Sequence, residues 1–102
     1  MSWWPWGKAT RRPAVVLYTR EGCHLCHDVQ ASLEAERAGV DFDLTTLDID
    51  RDEEAKRLYD LEVPVVSIDG RVRFRGRVNL VLLRRALRAA ASERFTPGER
   101  GA

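Results

Sequence analysis

Apolar and polar positions alternate along the chain with two different periods, and the changes of period mark the elements. Ala14–Tyr18 is a continuous apolar run, which predicts a strand buried on both faces. After the loop Arg20-Glu21-Gly22 the period lengthens. Leu25, Val29 and Leu33 recur every four residues and predict a helix over Cys23–Ala38, with Gly39 as a terminating residue of positive φ. Phe42–Leu47 predicts a second strand, although its alternation slips at Thr45-Thr46.

A second helix is expected to be capped by Asp50, with Glu53 three residues on as in a capping box. Ala55, Leu58 and Tyr59 would form its apolar face. Asp52–Lys56 and Glu53–Arg57 would form i,i+4 ion pairs. Val65–Ile68 and Val72–Arg75 read as strands around the two-residue turn Asp69-Gly70. In the last strand Val72 and Phe74 face one way while Arg71, Arg73 and Arg75 face the other, as on an edge with one wet face. Asn79 is a candidate cap for a third helix with Leu80, Leu83, Leu87 and Ala90 as its apolar stripe.

The order β-α-β-α-β-β-α predicts an α/β fold with a four-stranded mixed sheet and helices on both faces. Residues 1–12 read as an irregular arm, 13–91 as the domain and 92–102 as a polar tail. The first strand–helix loop is then expected at the carboxyl edge of the sheet, where open α/β folds place their sites.

Composition narrows the function classes. With 102 residues, 44% apolar and 32% charged, one soluble domain is expected. A net charge of +1 gives no global pull toward nucleic acid or a membrane surface, and neither is an expected partner. No stretch reaches the roughly 18–20 apolar residues of a membrane span. The apolar segment Met1–Trp6 reads as too short for a signal peptide, and Pro5 and Lys8 interrupt it. A cytoplasmic location and a monomer are the expectations.

Both cysteines of the chain lie in Cys23-His24-Leu25-Cys26. In a reducing cytoplasm structural disulfides are rare, and closing so short a loop would contribute only about 2 kcal/mol. The pair therefore reads as chemistry. Cys23 stands at the first helical turn, where free N–H groups and the helix dipole favour a thiolate. Cys26 lies one turn deeper. Cys23 is thus assigned as the nucleophile and Cys26 as the resolving thiol.

Lowering a thiol pKa from about 8.5 to about 7 raises the thiolate fraction at pH 7 from about 3% to about 50%. Intrinsic nucleophilicity falls roughly fivefold over the same shift. Attack gains little. The larger benefit is that Cys23 leaves more readily when Cys26 resolves the mixed disulfide.

His24, between the cysteines, reads either as a stabiliser of that thiolate or as an exposed spacer. Cys23–His27 also spells the haem-attachment pattern, but haem attachment needs export and usually a second ligand, and the only methionine is Met1. Zinc needs four ligands, usually as two pairs, and no second pair exists. No tightly bound cofactor or metal is expected. A metal or iron–sulfur carrier using Cys23 in a glutathione- or dimer-bridged site and a non-catalytic binding module are the alternatives.

The stretch Val15–Tyr18 followed by Thr19-Arg20-Glu21-Gly22-Cys23-His24-Leu25-Cys26 resembles the opening of the glutaredoxin branch of the thioredoxin superfamily. Glu62-Val63-Pro64 stands where that family has Thr-Val-Pro, Asp69-Gly70 matches its hairpin and Gly76 its glycine after the last strand. The resemblance spans residues 14–90. It implies thiol–disulfide exchange, a cis Val63–Pro64 bond facing the cysteines, and a backbone contact from Val63 to an extended substrate thiol.

The resemblance also implies substrate contacts at Arg20, Pro64, Gly76 and Arg77, with glutathione as a candidate co-substrate whose carboxylates would meet Arg20 and Arg77. A disulfide-containing protein or a glutathione mixed disulfide would be the substrate, and a reductase or glutathione the electron donor. The departures are His24-Leu25 in place of the family's Pro-Tyr, and no acidic residue in Gly76-Arg77-Val78-Asn79.

Overall fold

The computed structural model describes residues 12–92. The aromatic arm Trp3-Trp4-Pro5-Trp6 and the tail beyond Ser92 lie outside the described residues. The elements are β1 (Ala14–Thr19), α1 (His24–Glu36), β2 (Asp43–Asp48), a short 3-10 turn (Ile49–Arg51), α2 (Glu53–Tyr59), β3 (Val65–Ile68), β4 (Arg71–Arg75) and α3 (Leu80–Ser92).

The sheet order is β2-β1-β3-β4. β2 runs parallel to β1, and the β1–β3 and β3–β4 pairs are antiparallel. Central β1 and β3 are the apolar runs of the sequence, as interior strands covered on both faces must be. Alternation along β1 separates the two faces. Val15 and Leu17 join Val29 and Leu33 of α1, Phe42, Val66, Ile68, and Leu83 and Leu87 of α3 in one buried core. Tyr18 points to the opposite face, where its ring meets Tyr59 of α2 at 4.7 Å between centroids. Helices therefore cover both faces of a mixed sheet. No helix among the described residues is long and apolar enough to cross a membrane.

The hairpin follows the turn chemistry. Asp69 (φ 53°) and Gly70 (φ 83°) both take the left-handed conformation that a two-residue turn between twisted strands requires. The turn is also tied to the start of β1. Asp69 N–H donates to the Ala14 carbonyl at 2.8 Å, and Ala14 N–H donates to Asp69 Oδ1 at 3.0 Å. Asn79 caps α3, its Oδ1 accepting from the N–H groups of Val81 and Leu82 at 3.0 and 3.1 Å.

Several expectations are corrected. Helix α1 is shorter than Cys23–Ala38, and Gly39 does not take positive φ. The helix instead tightens through i→i−3 bonds, Arg37 to Glu34, Ala38 to Ala35 and Gly39 to Glu36, which satisfy its last carbonyls without a left-handed residue. Its buried stripe is Cys26, Val29 and Leu33, and Leu25 is 46% exposed.

Asp50 does not cap α2. Asp52 does, its Oδ1 accepting from Ala55 N–H at 2.9 Å. The expected Asp52–Lys56 and Glu53–Arg57 pairs are replaced by Lys56–Asp50 at 3.7 Å and Arg57–Glu54 at 3.7 Å. Leu58 is half exposed, so Ala55 and Tyr59 alone turn the α2 face inward.

Candidate functional site

One end of the sheet collects the loops that carry chemistry. In the parallel register Thr19 stands opposite Asp48, so β1 and β2 finish together. Antiparallel β3 starts at the same end, with Val65 opposite Tyr18, and β4 finishes there, with Arg75 opposite Val65. The turn Arg20–Cys23, the residues after Asp48, the segment 60–64 and Gly76-Arg77 therefore share one edge.

Gly22 (φ 83°) turns the chain out of β1, and Cys23 N–H donates to the Arg20 carbonyl at 3.2 Å. Cys23 then takes the N-cap position of α1 with extended backbone (φ −89°, ψ 108°). Caps are usually hydroxyl or carboxylate oxygens. Here the acceptor is sulfur: Cys23 Sγ accepts from Cys26 N–H at 3.1 Å. A negative charge forming on Cys23 would thus meet a hydrogen-bond donor and the positive end of a 13-residue helix. Cys23 is partly exposed, whereas the Cys26 side chain is fully buried. The two form a disulfide. His24 is the first helical residue, and both it and His27 are exposed. Among the described residues no three His, Cys, Asp or Glu side chains gather as metal ligands.

The Val63–Pro64 peptide is cis. Pro64 is fully buried and Val63 partly so. The loop is fastened by the residue after β4. Gly76 N–H is shared between the carbonyls of Glu62 at 2.7 Å and Pro64 at 2.8 Å, with Gly76 at φ 65°. Arg75 Nη1 adds a bond to Glu62 Oε1 at 2.6 Å. Gly76 thus acts on the Val63–Pro64 loop through the backbone. Arg77 is exposed, with no ion-pair partner among the described residues.

Arg20 is not a free cation. Its Nε and Nη2 donate to the two oxygens of Asp50, each at 3.0 Å, in the forked geometry that a guanidinium favours. Nη2 also donates to Asp60 Oδ1, and Nη1 donates to the Asp60 carbonyl at 2.9 Å. The side chain is 29% exposed. Hydrogen bonding to Asp50, then to Asp60, pushes the Arg20 pKa up, and the bond from Arg20 holds Asp50 below the usual carboxylate range. A substrate carboxylate expected at Arg20 would have to displace an aspartate already there.

Sequence reasoning missed Asp50 and Asp60 as partners of this turn. They lie 30 and 40 residues from Arg20, and no local period reports a pairing over that distance. Behind the site, Tyr18 is partly buried, and burial, followed by the neighbouring Tyr59, raises its pKa.

Comparison with known proteins bears on the family and the fold. A family model, the glutaredoxin-like domain (DUF836), matches residues 14–88. A solved protein of X. campestris is 35% identical over 74% of this chain and 97% of its own, with a TM-score of 0.57. One of Nitrosomonas europaea is 28% identical, covers 80% of this chain and 99% of its own, and has a TM-score of 0.67. A thioredoxin from Halobacterium salinarum, 16% identical, shares the fold over 82% of this chain and 78% of its own at a TM-score of 0.62. No curated protein sequence matches the chain. Matched from β1 into α3, with the cysteine pair at the head of α1, the chain belongs to the glutaredoxin-like (DUF836) domain family and has the thioredoxin-like fold.

Proposed function

We propose that the protein is a dithiol–disulfide oxidoreductase in which Cys23 attacks and Cys26 resolves. One observation carries this reading. Cys23 is partly exposed and its Sγ is the N-cap acceptor of α1, and its partner Cys26 is fully buried one turn on. An external disulfide reaches the first sulfur before the second, and the helix terminus stabilises the first as thiolate.

The exchange balances in two steps. The Cys23 thiolate attacks one sulfur of a substrate disulfide, forming a mixed disulfide and releasing the other sulfur as a thiolate that takes a proton from water. Cys26 then gives its proton to solvent and attacks Cys23 Sγ. This closes the Cys23–Cys26 bond and releases the second substrate thiolate. The substrate gains two electrons and the protein loses two. A thiol such as glutathione, or the dithiol of a reductase, would return the protein to its reduced form. A disulfide-bearing protein in the cytoplasm is the proposed substrate, with Val63 beside the cis peptide as the backbone contact for its extended strand.

Cys26→Ser, mixed with a disulfide-bearing peptide, tests the reading. A stable mixed disulfide on Cys23, seen by intact mass, supports it. No peptide attached to Cys23 of the reduced, folded variant overturns it.

A further inference from the structure

Asp50 and Asp60 converge on the one cation that lies in the turn leading to Cys23. Arg20 opens that turn, its carbonyl accepts the Cys23 N–H, and its guanidinium is held by both oxygens of Asp50 along one edge and by both the carboxylate and the carbonyl of Asp60. The two aspartates come from different elements, the 3-10 turn after β2 and the end of α2. Two carboxylates on one guanidinium exceed its charge. Lys56, 3.7 Å from Asp50, offsets part of that excess. Asp60 lies a few residues before the cis Val63–Pro64 bond, so the clamp ties the turn that leads to Cys23 to the segment that leads into that loop. The side chains left open at this edge include Leu25 (46% exposed) and Leu61 (92% exposed), which carry no charge, and Arg77, which is exposed and without an ion-pair partner among the described residues.

We propose that Asp50 and Asp60 are specificity-determining residues: by occupying Arg20 they remove one of the two cations expected to select carboxylate-bearing thiols, so the site takes glutathione disulfide less readily, relative to disulfides with uncharged flanks, than it would with Arg20 free. The inference rests on the dithiol-exchange reading. It adds that the family's expected glutathione contact at Arg20 is closed in this chain by its own acidic residues.

The experiment oxidises fully reduced protein with glutathione disulfide or with bis(2-hydroxyethyl) disulfide, which is neutral. The ratio of the two second-order rate constants is compared among variants. The neutral disulfide corrects for any general loss of reactivity or fold, and Arg77 is present throughout and cancels. The double variant Asp50→Asn/Asp60→Asn should raise the ratio toward glutathione disulfide by about threefold at low salt, the size of one solvent-screened ion pair, and added salt should erase the gain. Placing Arg20→Gln in that background should return the ratio to the wild-type value, because the freed guanidinium is then gone.

An unchanged ratio in the double variant overturns the proposal. So does a rise that survives loss of Arg20, which would reflect net charge alone, and so does a wild-type ratio that drops on Arg20→Gln. Failure of the parent reading is seen separately: wild-type protein that reacts with neither disulfide faster than an unstructured Cys-His-Leu-Cys peptide rejects dithiol exchange itself, and the specificity claim with it.

Discussion

Cys23 Sγ accepts a hydrogen bond from the N–H of Cys26 at 3.1 Å, so the nucleophilic sulfur and the helix cap are the same atom. A neutral thiol is a weak acceptor and a thiolate a strong one, so the bond strengthens as Cys23 ionises. It belongs to the same two residues that form the disulfide. The backbone that positions the resolving thiol thereby also tunes the attacking one.

The first prediction concerns the order of reactivity. In reduced protein at pH 7, iodoacetamide should label Cys23 well before Cys26, because Cys23 is partly exposed at the helix end and Cys26 is fully buried. Peptide mapping after a short pulse reads the outcome. Faster labelling of Cys26 would reverse the assigned roles.

The second concerns pH. The Asp50 pKa is lowered in the folded chain, chiefly by the hydrogen bond from Arg20. A carboxylate with a depressed folded pKa contributes stability that is fully present above its unfolded value, near 3.9, and lost as pH falls through the folded value. Stability measured by urea unfolding should therefore decline as acid is added below about pH 4. Asp50→Asn should be less stable at pH 7 and show a shallower decline. Equal acid slopes in the two proteins would remove Asp50 from the account.

The third separates core from surface. Leu33 is fully buried between α1 and the sheet, so Leu33→Ala should cost about 2–5 kcal/mol. Leu61, 92% exposed, should tolerate Leu61→Ala within about 0.5 kcal/mol. The capping aspartate gives an intermediate case. Asp52→Ala should cost about 1 kcal/mol. Denaturant midpoints at constant m check all three.

What the sequence disclosed and what it hid follow from range. Strands β1 and β3, the Asp69-Gly70 turn and the Asn79 cap depend on neighbours within a few residues, and the local pattern shows them. The cysteine pair at the head of α1 is local in the same sense. The errors lie where a distant partner decides. Asp50 has the composition of a cap, but Arg20, 30 residues away, claims its carboxylate, and the cap passes to Asp52. Leu25 has the right spacing for a buried stripe, yet the face that meets the core is set by Cys26, because a cysteine packs as a small apolar side chain. Phe42, read as the first residue of β2, instead fills the core just ahead of the strand, whose pairing with β1 begins at Asp43 opposite Ala14.

The last prediction concerns His24, the first residue of α1 and exposed beside the sulfur pair. A cationic imidazole there would stabilise a Cys23 thiolate, which favours the reduced state and makes the disulfide a stronger oxidant. Two effects oppose it. The helix N-terminus that favours an anion disfavours a neighbouring cation, and water and salt screen an exposed ring. The net effect should be about 1 kcal/mol or less, which is about 20 mV for a two-electron couple. His24→Ala should therefore make the potential slightly more reducing at low ionic strength and leave it unchanged at high ionic strength. Equilibration with dithiothreitol buffers at both ionic strengths measures this. A shift of equal size at both would point to the helix backbone or to packing. No shift at either would leave His24 a spacer, with thiolate stabilisation at this site coming from the helix terminus and the Cys26 N–H.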